Sequence, residues 1–193
     1  MTDQPKIVAF AGSARRGSFN KMLVKIAAEG ARKAGASVTY IDLSEFPLPI
    51  YDADFERTEG LPENARALKS LFAVNHGLLV ASPEYNSGVS ALLKNAIDWV
   101  SRPVPGEPRY ASFQGKLAAV MATSTGRLGG IRGLAQARAL LEHMRVMVIP
   151  EQIAVPNARE AFAADGSLND PEAHRAVEAI GARLSGVISK LRS

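Results

Sequence analysis

Five short apolar runs alternate with segments of helical periodicity, and this alternation constrains the fold more than any other feature of the chain. Lys6–Ala11, Gly77–Ala81 and Leu117–Met121 are apolar almost throughout, and Ser37–Ile41 and Val146–Ile149 complete the set. They lack the every-second-residue pattern of a strand wetted on one face, so they read as strands covered by helices on both sides. Helical spacing follows each: Met22, Leu23, Ile26, Ala27, Ala31 and Ala34; then Ala65, Leu68, Leu71 and Phe72 behind Pro62; then Leu92, Leu93, Ala96, Trp99 and Val100, stopping near Pro103. Leu134, Ala135, Ala137, Leu140 and Leu141 make the next helix. Asp170 and Pro171 open a last one, with Val177, Ile180, Leu184, Val187, Ile188 and Leu191 along one face. Phe46–Leu61 and residues 150–169 are expected to be irregular, with Ala158–Leu168 a mobile surface loop. The pattern predicts a single α/β domain over 1–193 with a doubly wound parallel sheet. At 193 residues and 47% hydrophobic content, the chain is long enough for one full core and short for two.

What the composition lacks narrows the function. With no cysteine, disulfides, thiol redox chemistry and thiolate metal sites are excluded, so any redox chemistry must come from a cofactor. His76, His143 and His174 are too far apart for a metal motif and read as structural or surface residues, so no metal is expected. No apolar run has the length of a membrane span and the opening MTDQPK is polar, so no membrane partner is expected and the location is read as cytoplasmic. Lys and Arg number 23 against 19 Asp and Glu, a formal charge of +4, but the basic residues are dispersed and aromatics are only 6%. That argues against nucleic acid and suits small anionic ligands.

The loops after the strands carry the chemistry. Gly12–Ser18 joins the first strand to the first helix, where backbone N–H groups point outward with the positive end of the dipole. Ser13, Arg15, Ser18 and Asn20 add donors, and Gly12 and Gly17 are read as residues free to take positive φ and to admit an oxygen closely. The segment suits a phosphate, although neither a P-loop nor the G-x-G-x-x-G fingerprint is present; a bare turn capped at Ser18 is the alternative. Ser82–Gly88 follows the third strand, with Pro83 fixing the backbone and Tyr85 offering a flat face, and Thr123–Gly130 follows the fourth. In doubly wound sheets ligands bind beyond the carboxyl ends of the strands, which makes these loops neighbours. Asp42 ends the second strand, where a dinucleotide domain holds a ribose, but without the glycine fingerprint it is read as a cap or loop residue. Trp99 is read as core and Tyr85 as ligand-facing.

GSARRGSFN at Gly12–Asn20, SPEYNSG at Ser82–Gly88 and LKNAIDWVSRP at Leu93–Pro103, in this order, resemble the NADPH-dependent FMN reductases of flavodoxin-like fold, a family that includes bacterial quinone, chromate and azo-dye reductases. The resemblance covers nearly the whole chain. It implies a five-stranded sheet of order 2-1-3-4-5 with helices on both faces. It also implies FMN held without a covalent bond, NADPH (with NADH as alternative) as donor, and a small-molecule acceptor. By matching motifs, Ser13, Arg15, Ser18 and Asn20 would bind the phosphate, with Gly12 and Phe19 in the same cofactor-binding loop. Pro83, Glu84, Tyr85 and Asn86 would line the isoalloxazine ring, and Ser124, Thr125 and Gly126 would close the other side. No protein group is then needed as a catalytic nucleophile or base, because the chemistry is on the flavin. Arg16 and Arg127 are candidates for the adenosine phosphate of NADPH. The family also implies a homodimer or homotetramer, with Phe46–Leu61 reaching the partner's flavin. Ser90 and Ala91 stand where many relatives carry Pro-Gly, which leaves acceptor preference open. A flavodoxin-type electron carrier and a non-catalytic flavin-binding sensor remain alternatives at this point.

Overall fold

The computed structural model describes residues 4–192. Strands β1 (Lys6–Ala11), β2 (Ser37–Asp42), β3 (Gly77–Ala81), β4 (Leu117–Thr123), β5 (Met147–Val148) and β6 (Ile153–Val155) form one parallel sheet. Its order is β2-β1-β3-β4-β5, with β6 also paired to β4, as the doubly wound reading requires. The helices are α1 (Phe19–Lys33), α2 (Ala53–Glu59), α3 (Glu63–Ala73), α4 (Ala91–Val100), α5 (Ile131–His143), α6 (Ala158–Ala161) and α7 (Pro171–Leu191).

Two cores explain why the strands are apolar throughout. Ile7, Ala9 and Ala11 of β1 pack with residues of α1 and α7, whereas Val8 and Phe10 pack on the opposite face with residues of α3, α4 and α5. Each fully buried large side chain contributes about 1.5–3 kcal/mol of transfer free energy, so neither face of these strands tolerates a polar position. Trp99 is fully buried, and its indole N–H donates to the Pro49 carbonyl at 2.8 Å.

α1 and α7 approach until their backbones touch. A Cβ on Gly181 would lie 1.8 Å from the Ala27 carbonyl oxygen, and one on Gly30 would lie 2.0 Å from that of Glu178. Each helix therefore carries a glycine where the other's main chain crosses.

Several expectations are corrected. The fifth strand, expected over Val146–Ile149, is the two-residue β5, and the ladder resumes as β6 inside the stretch expected to be irregular. β5 pairs with Leu117–Ala118 and β6 with Met121–Thr123, so the two pieces share one side of β4. Pro150 lies between them and has no N–H to offer the ladder. The Ala158–Leu168 loop is ordered by α6 and a bridge between Phe162 and Leu168. The Phe46–Leu61 stretch contains α2, capped by Asp52, whose carboxylate accepts from Asp54 N–H at 2.7 Å and Phe55 N–H at 3.0 Å. None of the residues of α2 is buried, so it carries no apolar stripe for periodicity to detect. The apolar face of α7 ends before Leu191, which is 60% exposed. Among the described residues, no helix is long and apolar enough to cross a membrane, and no three His, Asp or Glu side chains are grouped to hold a metal ion.

Candidate active site

Three loops leave the carboxyl edge of the sheet, after β1, β3 and β4, and meet in a cleft of about 200 Å3. Its walls are Ser13, Arg15, Ser18, Phe19, Asn20, Pro83, Glu84, Tyr85, Thr123, Ser124 and Thr125. Ten of the thirteen residues predicted for a cofactor site are thus brought together, whereas Gly12, Asn86 and Gly126 are not among the walls.

The β1 loop is shaped for an anion. Ser18 is the N-cap of α1, with extended backbone (φ −76, ψ 121), yet its hydroxyl makes no capping bond and the first turn holds no acidic residue. N-caps and first-turn carboxylates normally satisfy those outward N–H groups; here Lys21 N–H turns back to the Ser18 carbonyl at 3.0 Å, while those of Phe19 and Asn20 stay available, together with the hydroxyls of Ser13 and Ser18. Arg15 adds a guanidinium on the same wall. Gly12 and Gly17 do not have positive φ, contrary to expectation. Gly12 is required by packing instead: a Cβ there would lie 2.8 Å from both Leu93 Cβ and Ser90 Oγ. Its N–H donates to the Ala81 carbonyl at 2.8 Å, and its own carbonyl accepts from Ser90 Oγ at 2.6 Å.

Asn20 is occupied within the protein. Its side-chain amide donates to the Thr123 carbonyl at 2.9 Å while its oxygen accepts from Thr123 N–H at 3.1 Å, so it brackets α1 to the end of β4. Thr123, fully buried and itself donating to the Val155 carbonyl at 2.8 Å, is a wall residue that sequence reasoning left out of the site. Its place directly before Ser124 and Thr125 was the available signal. Phe19 backs the loop through a ring contact with Phe162 at 5.4 Å.

After β3, Tyr85 and Gly88 exchange two backbone hydrogen bonds of 3.0 and 2.9 Å around Asn86 and Ser87, whose φ values are 51° and 65°. Two left-handed residues in succession make a tight type I′ turn, which presents Tyr85 with 55% of its surface exposed. Glu84 is anchored elsewhere. Its carboxylate accepts from Arg132 N–H at 3.0 Å, Gly133 N–H at 3.2 Å and Arg132 Nε at 2.9 Å. Burial pushes this carboxyl up, but the donors of Arg132 and Gly133 outweigh it and hold the group below its ordinary value. Nothing in the sequence pairs these residues, 48 positions apart. Asp42, beside the β2 end, caps the turn at Leu43–Glu45 and pairs with Lys21 at 2.6 Å, in keeping with its reading as a cap. Burial raises its pKa, and the hydrogen bonds from Lys21 and Ser44 bring it below the usual carboxylate range.

After β4, Ser124 N–H donates to the Val155 carbonyl at 3.3 Å, and its carbonyl accepts from Ala158 N–H at 3.0 Å. β6 and α6 therefore hold this wall. The whole donor set, two hydroxyls, a guanidinium and unused helix N–H groups at one end with an aromatic face and neutral polar groups at the other, fits a flat ring carrying a phosphate. Its one carboxylate is already neutralised.

Known proteins bear on which ring that is. The family model for NADPH-dependent FMN reductase matches residues 5–160. An NAD(P)H-dependent FMN reductase of Pseudomonas aeruginosa is 34% identical over 179 residues, covering 92% of each chain. A quinone reductase of Escherichia coli K12 is 34% identical over 152 residues, 77% of this chain and 76% of its own. Among solved structures, FerB of Paracoccus denitrificans, a flavoenzyme NAD(P)H:(acceptor) oxidoreductase, superposes with a TM-score of 0.80 at 29% identity, covering 96% of this chain and 98% of its own. Fold, loops and sequence agree, and the chain belongs to the NADPH-dependent FMN reductase family.

Proposed function

We propose that the cleft holds FMN and that the protein is an NAD(P)H oxidoreductase acting on quinones and other small acceptors. The observation that carries this reading is the convergence of the β1, β3 and β4 loops on one cleft, with an anion-binding end and an aromatic end, in a member of this family. Bound there, FMN would supply the hydride and electron-transfer chemistry between a nicotinamide and an acceptor.

The protein's own part is positioning. Ser13 and Ser18 donate from their hydroxyls and Arg15 from its guanidinium to a phosphate, with the open first turn of α1 behind them. Tyr85 offers its ring face, Pro83 fixes the backbone beside it, and Ser124 and Thr125 form the opposite wall. Glu84 keeps the Tyr85 turn against α5 and stays ionised on Arg132, so no carboxylate of the cleft moves a proton. Neutral polar walls and backbone N–H groups stabilise developing negative charge without a side-chain acid.

The acceptor class extends to azo compounds, chromate and free flavin, which the same cofactor would serve by the same electron transfer. Arg16 and Arg127, both exposed on loops flanking the cleft, support NADPH as the preferred donor, with NADH as the weaker one. A homodimer or homotetramer is supported by Ile50, 86% exposed in the segment that the family turns toward its partner. The need for NAD(P)H supports a cytoplasmic location.

The deciding experiment is the visible spectrum of the protein with FMN, recorded anaerobically before NADPH, after it, and after a quinone. Bleaching followed by recovery supports the reductase. A bound flavin that NADPH leaves coloured removes it in favour of a carrier or sensor, and the absence of flavin binding removes the cofactor assignment.

A further inference from the structure

Ser90 is joined to the anion end of the cleft without lining it. It is 1% exposed, is the N-cap of α4, and follows the Tyr85–Gly88 turn after Val89 alone. Its hydroxyl makes two bonds: the oxygen accepts from Leu93 N–H at 3.1 Å, and the proton goes to the Gly12 carbonyl at 2.6 Å. A carbonyl only accepts and an N–H only donates, so the direction of both bonds is fixed.

The bond to Gly12 acts on the other side of that peptide. In a trans peptide the carbonyl of one residue and the N–H of the next point opposite ways, and the described residues contain no cis peptide. Holding the Gly12 carbonyl on Ser90 therefore turns the Ser13 N–H away from α4. Ser13 is a wall of the cleft and is buried, yet among the described residues its N–H donates to no protein group. Buried backbone donors are nearly always paired. One left over in a cleft wall, together with the Ser13 hydroxyl and Arg15, is kept for a ligand. The Gly12 N–H is clamped as well, on the Ala81 carbonyl at 2.8 Å, so the peptides on both sides of Gly12 are held.

We propose that Ser90 is a positioning residue for the phosphate end of the cleft. It aims the Ser13 N–H at the phosphate and sets the separation of that end from the ring end, because the segment that carries Tyr85 runs directly into Ser90. A donor fixed before binding loses no freedom when the ligand arrives. The proposal rests on the reading of the cleft as an FMN site.

Dissociation constants of FMN and of riboflavin, measured by fluorescence quenching on the full chain freed of flavin, test it. Riboflavin carries the same ring system without the phosphate, so the ratio of the two isolates the phosphate end. Wild type is expected to prefer FMN. Ser90→Ala is expected to bind FMN about tenfold more weakly, the loss of one hydrogen bond, and riboflavin as before. Ser90→Cys fills the same place with a weak donor and is the second variant should alanine unsettle the fold; thermal melts establish which variants fold. A reduced preference for FMN in a folded variant supports the proposal. A wild-type preference that the folded variants keep, or an equal weakening of both flavins, overturns it while leaving the FMN site standing. Equal wild-type affinity for the two flavins overturns the phosphate reading itself and the proposal with it.

Discussion

Glu84 and Arg132 tie the β3 loop of the cleft to the first turn of α5: the carboxylate takes the Arg132 backbone N–H at 3.0 Å and its guanidinium at 2.7 Å. The residue that the family motif assigns to the ring is thus also the N-terminal anion of α5. Glu84→Gln keeps the shape and removes the charge, and is expected to lower stability by about 1–3 kcal/mol at pH 7 in urea denaturation. The folded carboxyl lies below its ordinary 4.5, so its stabilisation is present above pH 4.5 and is lost as pH falls through the folded value. The gap between wild type and variant should therefore narrow as the pH falls below 4.5; a gap that stays constant through acid unfolding would sink the ion-pair account.

Asn20 satisfies both backbone groups of Thr123 from inside the core. Asn20→Ala strands a buried N–H and a buried carbonyl, so a loss of about 2–4 kcal/mol is expected. Asn20→Asp should fare little better, since a carboxylate cannot donate to the Thr123 carbonyl. Wild-type denaturation midpoints in both variants would show the bracket to be dispensable.

Among the described residues Arg15 makes no hydrogen bond or ion pair, and it sits on the wall with the hydroxyls of Ser13 and Ser18. Arg15→Ala is expected to weaken FMN binding by about 1.5–3 kcal/mol, roughly ten- to a hundredfold, with unchanged melting of the apo protein. Equal FMN affinity, measured by fluorescence quenching, removes the phosphate assignment.

Gly181 meets the backbone of α1 with no room for a methyl group. Gly181→Ala should separate α1 from α7 and cost about 3 kcal/mol, against the small gain a helix interior normally derives from alanine. Gly186, on the same helix with open space around it, is the internal control: Gly186→Ala should stabilise by about 0.5–1 kcal/mol. Thermal melts of the two variants moving in the same direction would contradict the contact.

Ser87 holds φ 65° in the Tyr85 turn without the short amide that eases Asn86 into this region. Ser87→Gly is expected to stabilise by about 0.5–1 kcal/mol, the relief exceeding the entropy lost with a glycine. Chemical denaturation decides it, and a destabilised variant would mean that the serine side chain makes the turn.

The alternation of strands and helices and the three loops were legible because each is written locally, whereas the strand order came with the family resemblance. An uninterrupted apolar run needs cover on both faces, and the Gly12, Pro83 and Thr123 loops follow such runs directly. By itself the sequence determined a doubly wound α/β sheet with polar, small-residue loops after β1, β3 and β4. What it could not carry are relations between distant positions. The broken fifth strand depends on how the chain resumes pairing beyond Pro150, and α2 lacks the buried stripe that periodicity detects. The bracket from Asn20 to Thr123, the anchoring of Glu84 on Arg132, and the packing of Ser90 and Leu93 that requires a glycine at position 12, read in sequence as free to take positive φ, are of this kind. Tertiary structure decided these because a hydrogen bond or a steric limit belongs to a pair of groups, and only folding chooses the partner.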